Sequence, residues 1–183
     1  MKAFLIFSSI VLYHLSLALE YLHSSGRRRP LPGETPDAVK VFEAFKSVVL
    51  VSDPSNATML DYLQASRSEM NTEQRTATYT WILPKIGQTI PLYVKAGDSP
   101  GAFTYTAGND STVSSGKYHY TDFHTCLVLD IDFQGYQCML VASPRFENSV
   151  PQECIYYFRR TCGKSASLRS RDHCNDDENA KKC

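Results

Sequence analysis

The chain has 183 residues, and its 19 lysines and arginines balance its 19 aspartates and glutamates. That length sets a single domain as the expectation. The charge balance leaves no electrostatic basis for binding nucleic acid or an acidic membrane surface.

Met1 to Ala18 reads as a secretory signal peptide. Lys2 supplies the positive end, Ala3 to Leu12 is apolar, and Ser16-Leu17-Ala18 places small residues where cleavage occurs. The apolar run falls short of the roughly 20 residues that span a bilayer. No later stretch is apolar for long enough either, so no membrane segment is expected. Secretion gives the six cysteines a meaning. In an oxidising compartment they read as disulfides rather than a metal site, and no C-x-x-C pair speaks for zinc. The sequons Asn56-Ala57-Thr58 and Asn109-Asp110-Ser111 fit glycosylation of surface loops at Asn56 and Asn109.

Residues 19–34 are polar, proline-rich and carry Arg27-Arg28-Arg29, a flexible leader ahead of one folded domain at 35–183. Thr35 is placed to cap a helix that Pro36 begins. Ala38, Val41, Phe42 and Phe45 follow helical spacing, so this helix needs an apolar surface to cover. Strands are then predicted at 47–52 and 60–66, with Asp53-Pro54-Ser55-Asn56 turning between them. A polar turn is expected at 69–74 and a β-branched, aromatic strand at 76–83. Further strands are expected at 89–96, 103–106 and 118–123, the last two separated by a loop rich in Gly, Ser and Asn. Strands of this length and spacing, joined by hairpin turns, mean an antiparallel barrel or sandwich.

Residues 125–163 hold four of the six cysteines. Cys126 to Val128 opens one strand, Gln134-Gly135 signals a turn, and Cys138 to Val141 forms a second strand. Ser149 is placed to cap a helix, with Pro151 in its first turn, Gln152 three residues after the cap, and Gly163 as its stop. Cys154, Phe158 and Cys162 recur at i, i+4 and i+8 and share a face. The pattern suggests a helix stapled onto a sheet. Lys164 to Cys183 is a charged tail expected to loop back across the fold.

This stretch resembles the tick salivary lipocalins, the histamine-binding-protein-like family. The motifs are Cys126-x-Val128, Gly135-Tyr136, Cys138-x-Leu140-Val141, Val150-Pro151-x-x-Cys154 and Cys162-Gly163. Asp37-Ala38-x-Lys40, Asp53-Pro54 and Thr76-Ala77-Thr78-Tyr79-Thr80 resemble its earlier elements more loosely. The resemblance implies an eight-stranded antiparallel up-and-down lipocalin barrel with an N-terminal helix and a disulfide-stapled C-terminal helix. An eight-stranded barrel can enclose one small ligand. The resemblance further implies the bonds Cys126–Cys154 and Cys138–Cys162. The family's third bond joins the tail, here Cys174, to a position occupied by Tyr62. Cys174–Cys183 is the alternative within the chain, and an intermolecular bond is another.

With Cys126 turned out to the helix, strand alternation sends Leu127 and Leu129 inward. Counting back gives the same parity to Thr125, Phe123, Thr121 and His119, unless a bulge intervenes. Gln137, Met139 and Val141 face in opposite Cys138. Trp81 shares a face with Tyr79, and Phe103 shares one with Tyr105, without the sequence saying which faces are interior. Of these, Trp81, Phe103, Tyr105, His119, Phe123, Leu127, Leu129, Gln137, Met139 and Val141 form the candidate ligand pocket. Amine-binding family members carry acids in this stretch, where the chain has Leu127 and Met139 or Gln137. Burying an ammonium without a paired carboxylate costs several kcal/mol, so a lipid or eicosanoid suits this interior better than histamine or serotonin. Asp122, Asp130 and Asp132 carry outward parity. His119 is a candidate partner for a lipid carboxylate.

No G-x-S-x-G or H-E-x-x-H occurs, and His119 and His124, five residues apart, lie on opposite faces of a strand. No catalytic residue, metal or cofactor is therefore expected. The resemblance implies a secreted, monomeric protein that sequesters a small host mediator of inflammation or haemostasis. The alternatives are an amine held by acids elsewhere, and a host protein bound through the loops.

Overall fold

The computed structural model describes residues 35–54 and 58–163. Helix α1 (Ala38–Ala44) leads into β1 (Ser47–Ser52), β2 (Gln64–Asn71), β3 (Thr76–Leu83) and β4 (Gln88–Ala96). Next come β5 (Ala102–Ala107), β6 (Ser114–Thr121), β7 (Cys126–Asp132), β8 (Tyr136–Ala142) and helix α2 (Gln152–Cys162). Each strand pairs antiparallel with the next, and β8 pairs with β1 to close an eight-stranded up-and-down barrel. The expected architecture is the observed one. The signal peptide, the leader, Asn56, the tail and the bonding of Cys174 and Cys183 lie outside the described residues.

Some boundaries move, each for a local reason. Pro36 disfavours helical backbone at Thr35, and Asp37 caps α1 instead, its carboxylate accepting from the Lys40 amide at 3.1 Å. The strand expected at 60–66 begins only at Gln64, because a single 3₁₀ turn (Thr58–Leu60) precedes it and Tyr62 takes a left-handed φ of 64°. It then runs on to Asn71, through residues expected to turn. Its outer face meets solvent, so polar residues there are compatible with a strand. β6 starts at Ser114, inside the expected loop. At α2, Pro151 keeps extended backbone (φ −58°, ψ 144°) and is itself the N-cap, so Ser149 does not cap the helix.

Two apolar clusters organise the molecule. One fills the barrel and includes Phe42 and Phe45 from α1, Trp81, Phe103, Tyr105, Tyr118, Leu127, Leu129 and Met139. The other is the seam between the outside of the barrel and α2, built from Val51, Tyr120, Cys126, Val128, Leu140, Cys154 and Phe158. β7 and β8 are covered on both faces, which explains why they read as nearly continuous apolar runs. The bonds Cys126–Cys154 and Cys138–Cys162 pin α2 to β7 and β8. Tyr120 stacks on Tyr157 across the same seam, ring centroids 3.9 Å apart.

Up-and-down topology sorts the turns into two ends. Residues 72–75, 97–101 and 122–125 turn at the end that α1 covers. Residues 53–63, 84–87, 108–113 and 133–135 turn at the far end. The 122–125 turn is built on Asp122. Its carboxylate accepts from the amides of His124 (3.0 Å), Thr125 (2.7 Å) and Cys126 (3.2 Å) and from the Thr125 hydroxyl. Burial alone would raise its pKa, but these donors outweigh it and hold the group below the usual carboxylate value.

Candidate ligand site

The inward face of the barrel is set by register. On β7 and β8, Leu127 pairs with Val141, Leu129 with Met139 and Ile131 with Gln137, and all six are buried. Leu127, Leu129, Ile131, Met139 and Val141 belong to the interior cluster. Cys126, Val128, Leu140 and Ala142 alternate outward into the α2 seam. Trp81 and Tyr79 turn inward on β3, and Phe103 and Tyr105 do so on β5, which assigns the faces the sequence left open. Phe123 packs against the same interior from the 122–125 turn, where its φ is 55°.

His119 does not join this group. A bulge falls between Tyr118, paired with Leu129, and Tyr120, paired with Val128. It resets the alternation, so Tyr118 points into the barrel and Tyr120 into the α2 seam. His119 lies on the outer surface, where its imidazole meets the carboxylate of Asp130. The Tyr136 hydroxyl approaches the same carboxylate at 3.5 Å. Asp130 thus sits outside the barrel, as its parity implied.

The α1 end of the interior is aromatic. Phe42, fully buried, meets Tyr79 and Tyr118 edge-on at centroid distances of 6.5 and 6.3 Å. Tyr118 stacks on Phe103 at 4.4 Å. Two polar groups reach into this end. The Tyr79 hydroxyl donates to the Phe45 carbonyl at 3.1 Å. Arg67, from β2, donates through Nη1 to the Phe42 carbonyl and approaches the Met70 sulfur at 3.5 Å. Burial raises the Tyr79 pKa to about 12, with nearby Arg67 pulling the other way. Burial also holds Tyr118 well above its ordinary value, so both phenols are neutral donors. Among the described residues, no carboxylate lies within ion-pair distance of the Arg67 guanidinium.

At the far end, Phe133 leans in from the β7–β8 turn and meets Trp81 edge-on at 5.2 Å. That turn has left-handed backbone at Gln134 and Gly135, as the Gln-Gly pair predicted. The Tyr105 hydroxyl donates to the Asp132 carbonyl at 2.9 Å, and the Gln137 side-chain amide donates to the Phe133 carbonyl at 3.3 Å. Burial raises the Tyr105 pKa to about 12. Asp53 is buried and Asp61 partly buried, both in the β1–β2 connection at this end. Asn109 is exposed in the β5–β6 loop.

Among the described residues the one grouping of three potential metal ligands is Asp122, Cys126 and Cys154. Its two sulfurs are spent on a disulfide, so they offer no thiolate.

Arg67, Tyr79, Tyr118 and Phe133 are the site residues the sequence did not single out. The bulge between Arg67 and Glu69 hides the alternation of Ala65, Arg67 and Met70, which would otherwise mark Arg67 as inward.

No protein-family model matches the chain, and no curated protein matches it. Solved structures do. One, described as the crystal structure of the AM182 serotonin complex, superposes with a TM-score of 0.59 at 14% identity. The match covers 77% of this chain and 93% of that one. At that identity the likeness establishes the fold, an eight-stranded closed barrel.

Proposed function

We propose that this chain is a secreted lipocalin of the tick salivary type that sequesters a small lipid mediator. The ligand class is a fatty-acid-derived carboxylate. Arg67 carries this reading: it is an inward-facing guanidinium with no carboxylate partner among the described residues. Arg67 is partly exposed, and a ligand carboxylate would give it the counter-ion for which water otherwise stands in. A charge-assisted hydrogen bond of this kind contributes about 1.5–3 kcal/mol. The walls suit the rest of such a ligand. Leu127, Leu129, Met139, Val141 and Trp81 are apolar, and each buried methylene contributes about 0.8 kcal/mol. Head group at the α1 end and tail toward Trp81 and Phe133 is the orientation these positions favour. His119 has no part in it. Removal of residues 1–18 on secretion and a glycan on Asn109 belong to the same proposal.

The test is native mass spectrometry of the secreted, deglycosylated protein with arachidonate, a leukotriene, histamine and serotonin. The single tryptophan adds a second readout, since Trp81 lies in the barrel interior. Lipid adducts that Arg67→Met weakens about tenfold or more, and that Leu127→Trp blocks, support the proposal. Lipid binding indifferent to both substitutions refutes the assigned site.

A second reading is a biogenic amine. It is favoured by the serotonin in the structural neighbour and by the burial of Asp53 at the far end. An amine adduct lost in Asp53→Asn, without any lipid adduct, would establish it. Absence of every small-molecule adduct would turn attention to a protein partner bound through the loops.

A further inference from the structure

We infer that ligand occupancy and the docking of helix α1 compete for the same two side chains, so that a bound carboxylate loosens α1. This rests on the carboxylate reading above and adds a regulation of that site. The last carbonyls of α1 are held from inside the barrel. Arg67 Nη1 donates to the Phe42 carbonyl, and the Tyr79 hydroxyl donates to the Phe45 carbonyl. α1 is only seven residues long, too short to be stable by itself. Its position depends on the burial of Ala38, Val41, Phe42 and Phe45 in the interior cluster, on the Asp37 cap, and on these two bonds, which fix its C-terminal end.

Arg67 and Tyr79 are also the polar donors that reach the α1 end of the interior. A carboxylate that takes the Nη1 proton given to the Phe42 carbonyl withdraws it from α1, and one that takes Nε or Nη2 pulls the guanidinium toward itself and away from that carbonyl. A phenol hydroxyl has one proton to give, so Tyr79 cannot donate to the ligand and to the Phe45 carbonyl together. Binding therefore removes anchors from α1. By linkage the effect is reciprocal: whatever weakens α1 docking strengthens carboxylate binding by the same factor.

The experiment is hydrogen–deuterium exchange on the full secreted chain, disulfides intact, with and without saturating arachidonate. Binding is verified in the same samples by Trp81 fluorescence. The expected result is exchange at residues 38–45 about fivefold faster or more with ligand, the lower end of ordinary coupling, while β7 and β8 are unchanged or slower. A second variant tests reciprocity without touching the pocket. Asp37 is exposed and caps α1 from outside, so Asp37→Ala should tighten arachidonate binding, by up to about fivefold if the whole cap contribution is coupled. Arachidonate that binds while exchange at 38–45 stays constant or slows overturns the inference and leaves the carboxylate reading standing. Unchanged or weaker affinity in Asp37→Ala overturns it as well. Failure of arachidonate to bind at all removes both.

Discussion

Gly116 tests the interior most sharply. It lies on β6 opposite Phe103 on one side and Ile131 on the other. A Cβ built there would stand 2.3 Å from the Phe103 ring and 2.7 Å from the Asp130 carbonyl oxygen. The ring lies across the bare backbone of Gly116 while stacking on Tyr118. Gly116→Ala therefore meets two obstacles of different kinds. The ring can rotate away, at the cost of its stacking and a shift further into the barrel interior. The carbonyl belongs to the β7 backbone and can move only with the strand. Overpacking of this sort costs about 1–3 kcal/mol, and the backbone clash places Gly116→Ala near the upper end. For a domain of this size that lowers Tm by several degrees. Thermal unfolding by circular dichroism would measure it. Phe103→Leu combined with Gly116→Ala should recover part of the loss, because it removes the ring contact and leaves the carbonyl contact. The coupling in that double-mutant cycle isolates the ring's share. Gly116→Ala should also weaken arachidonate binding by displacing Phe103 into the barrel. A change in stability below about 0.5 kcal/mol, with no coupling to Phe103, would refute the packing argument.

Replacing Cys126 and Cys154 together by alanine opens a loop with a sequence separation of 28 residues, and chemical denaturation should show a loss of about 3–4 kcal/mol. Asp122→Ala should cost about 2 kcal/mol by removing the acceptor for three amides and a hydroxyl. Because the folded pKa of Asp122 is lowered, its contribution is complete above the unfolded value near 3.9 and is lost as pH falls through the folded value. Urea titrations should therefore show a shallower acid-side slope in the variant. His119→Ala should leave arachidonate affinity unchanged within about twofold, since the imidazole is engaged with Asp130 on the outer surface. A large loss would contradict its placement.

What the sequence made legible follows from where two-sided burial leaves a pattern. β3 sets threonines between Ala77, Tyr79 and Trp81, β1 is a continuous run of valine and leucine, and the expected boundaries of both are the observed ones. In β7 and β8 the cysteines mark the outward parity, so the inward set Leu127, Leu129, Gln137, Met139 and Val141 could be counted directly. The count failed at His119 because one bulge, between Tyr118 and Tyr120, exchanges the faces, and nothing in the residues around it signals an extra position. The same failure concealed Arg67 beside the bulge in β2. Phe133 was invisible for a different reason. It sits in a turn, where alternation carries no information, and its inward lean depends on contact with Trp81.

Charge placement, more than apolar lining, separates the two ligand classes. Any eight-stranded barrel of this size has apolar walls, so Leu127 or Met139 by itself admits an amine's ring as readily as a lipid's chain. Ionised groups discriminate because their burial cost must be met by the ligand. On β7 the acids Asp130 and Asp132 occupy outward positions, and the bulge in β6 brings His119 to Asp130 on that same outer surface. Their charge is thus spent outside the wall. On β2 the bulge after Arg67 has the opposite consequence, leaving a cation on the inner face beside two neutral phenols, Tyr79 and Tyr118. An ammonium placed at that end would meet Arg67 at close range, where like charges repel. A carboxylate there meets a guanidinium and hydroxyl donors instead.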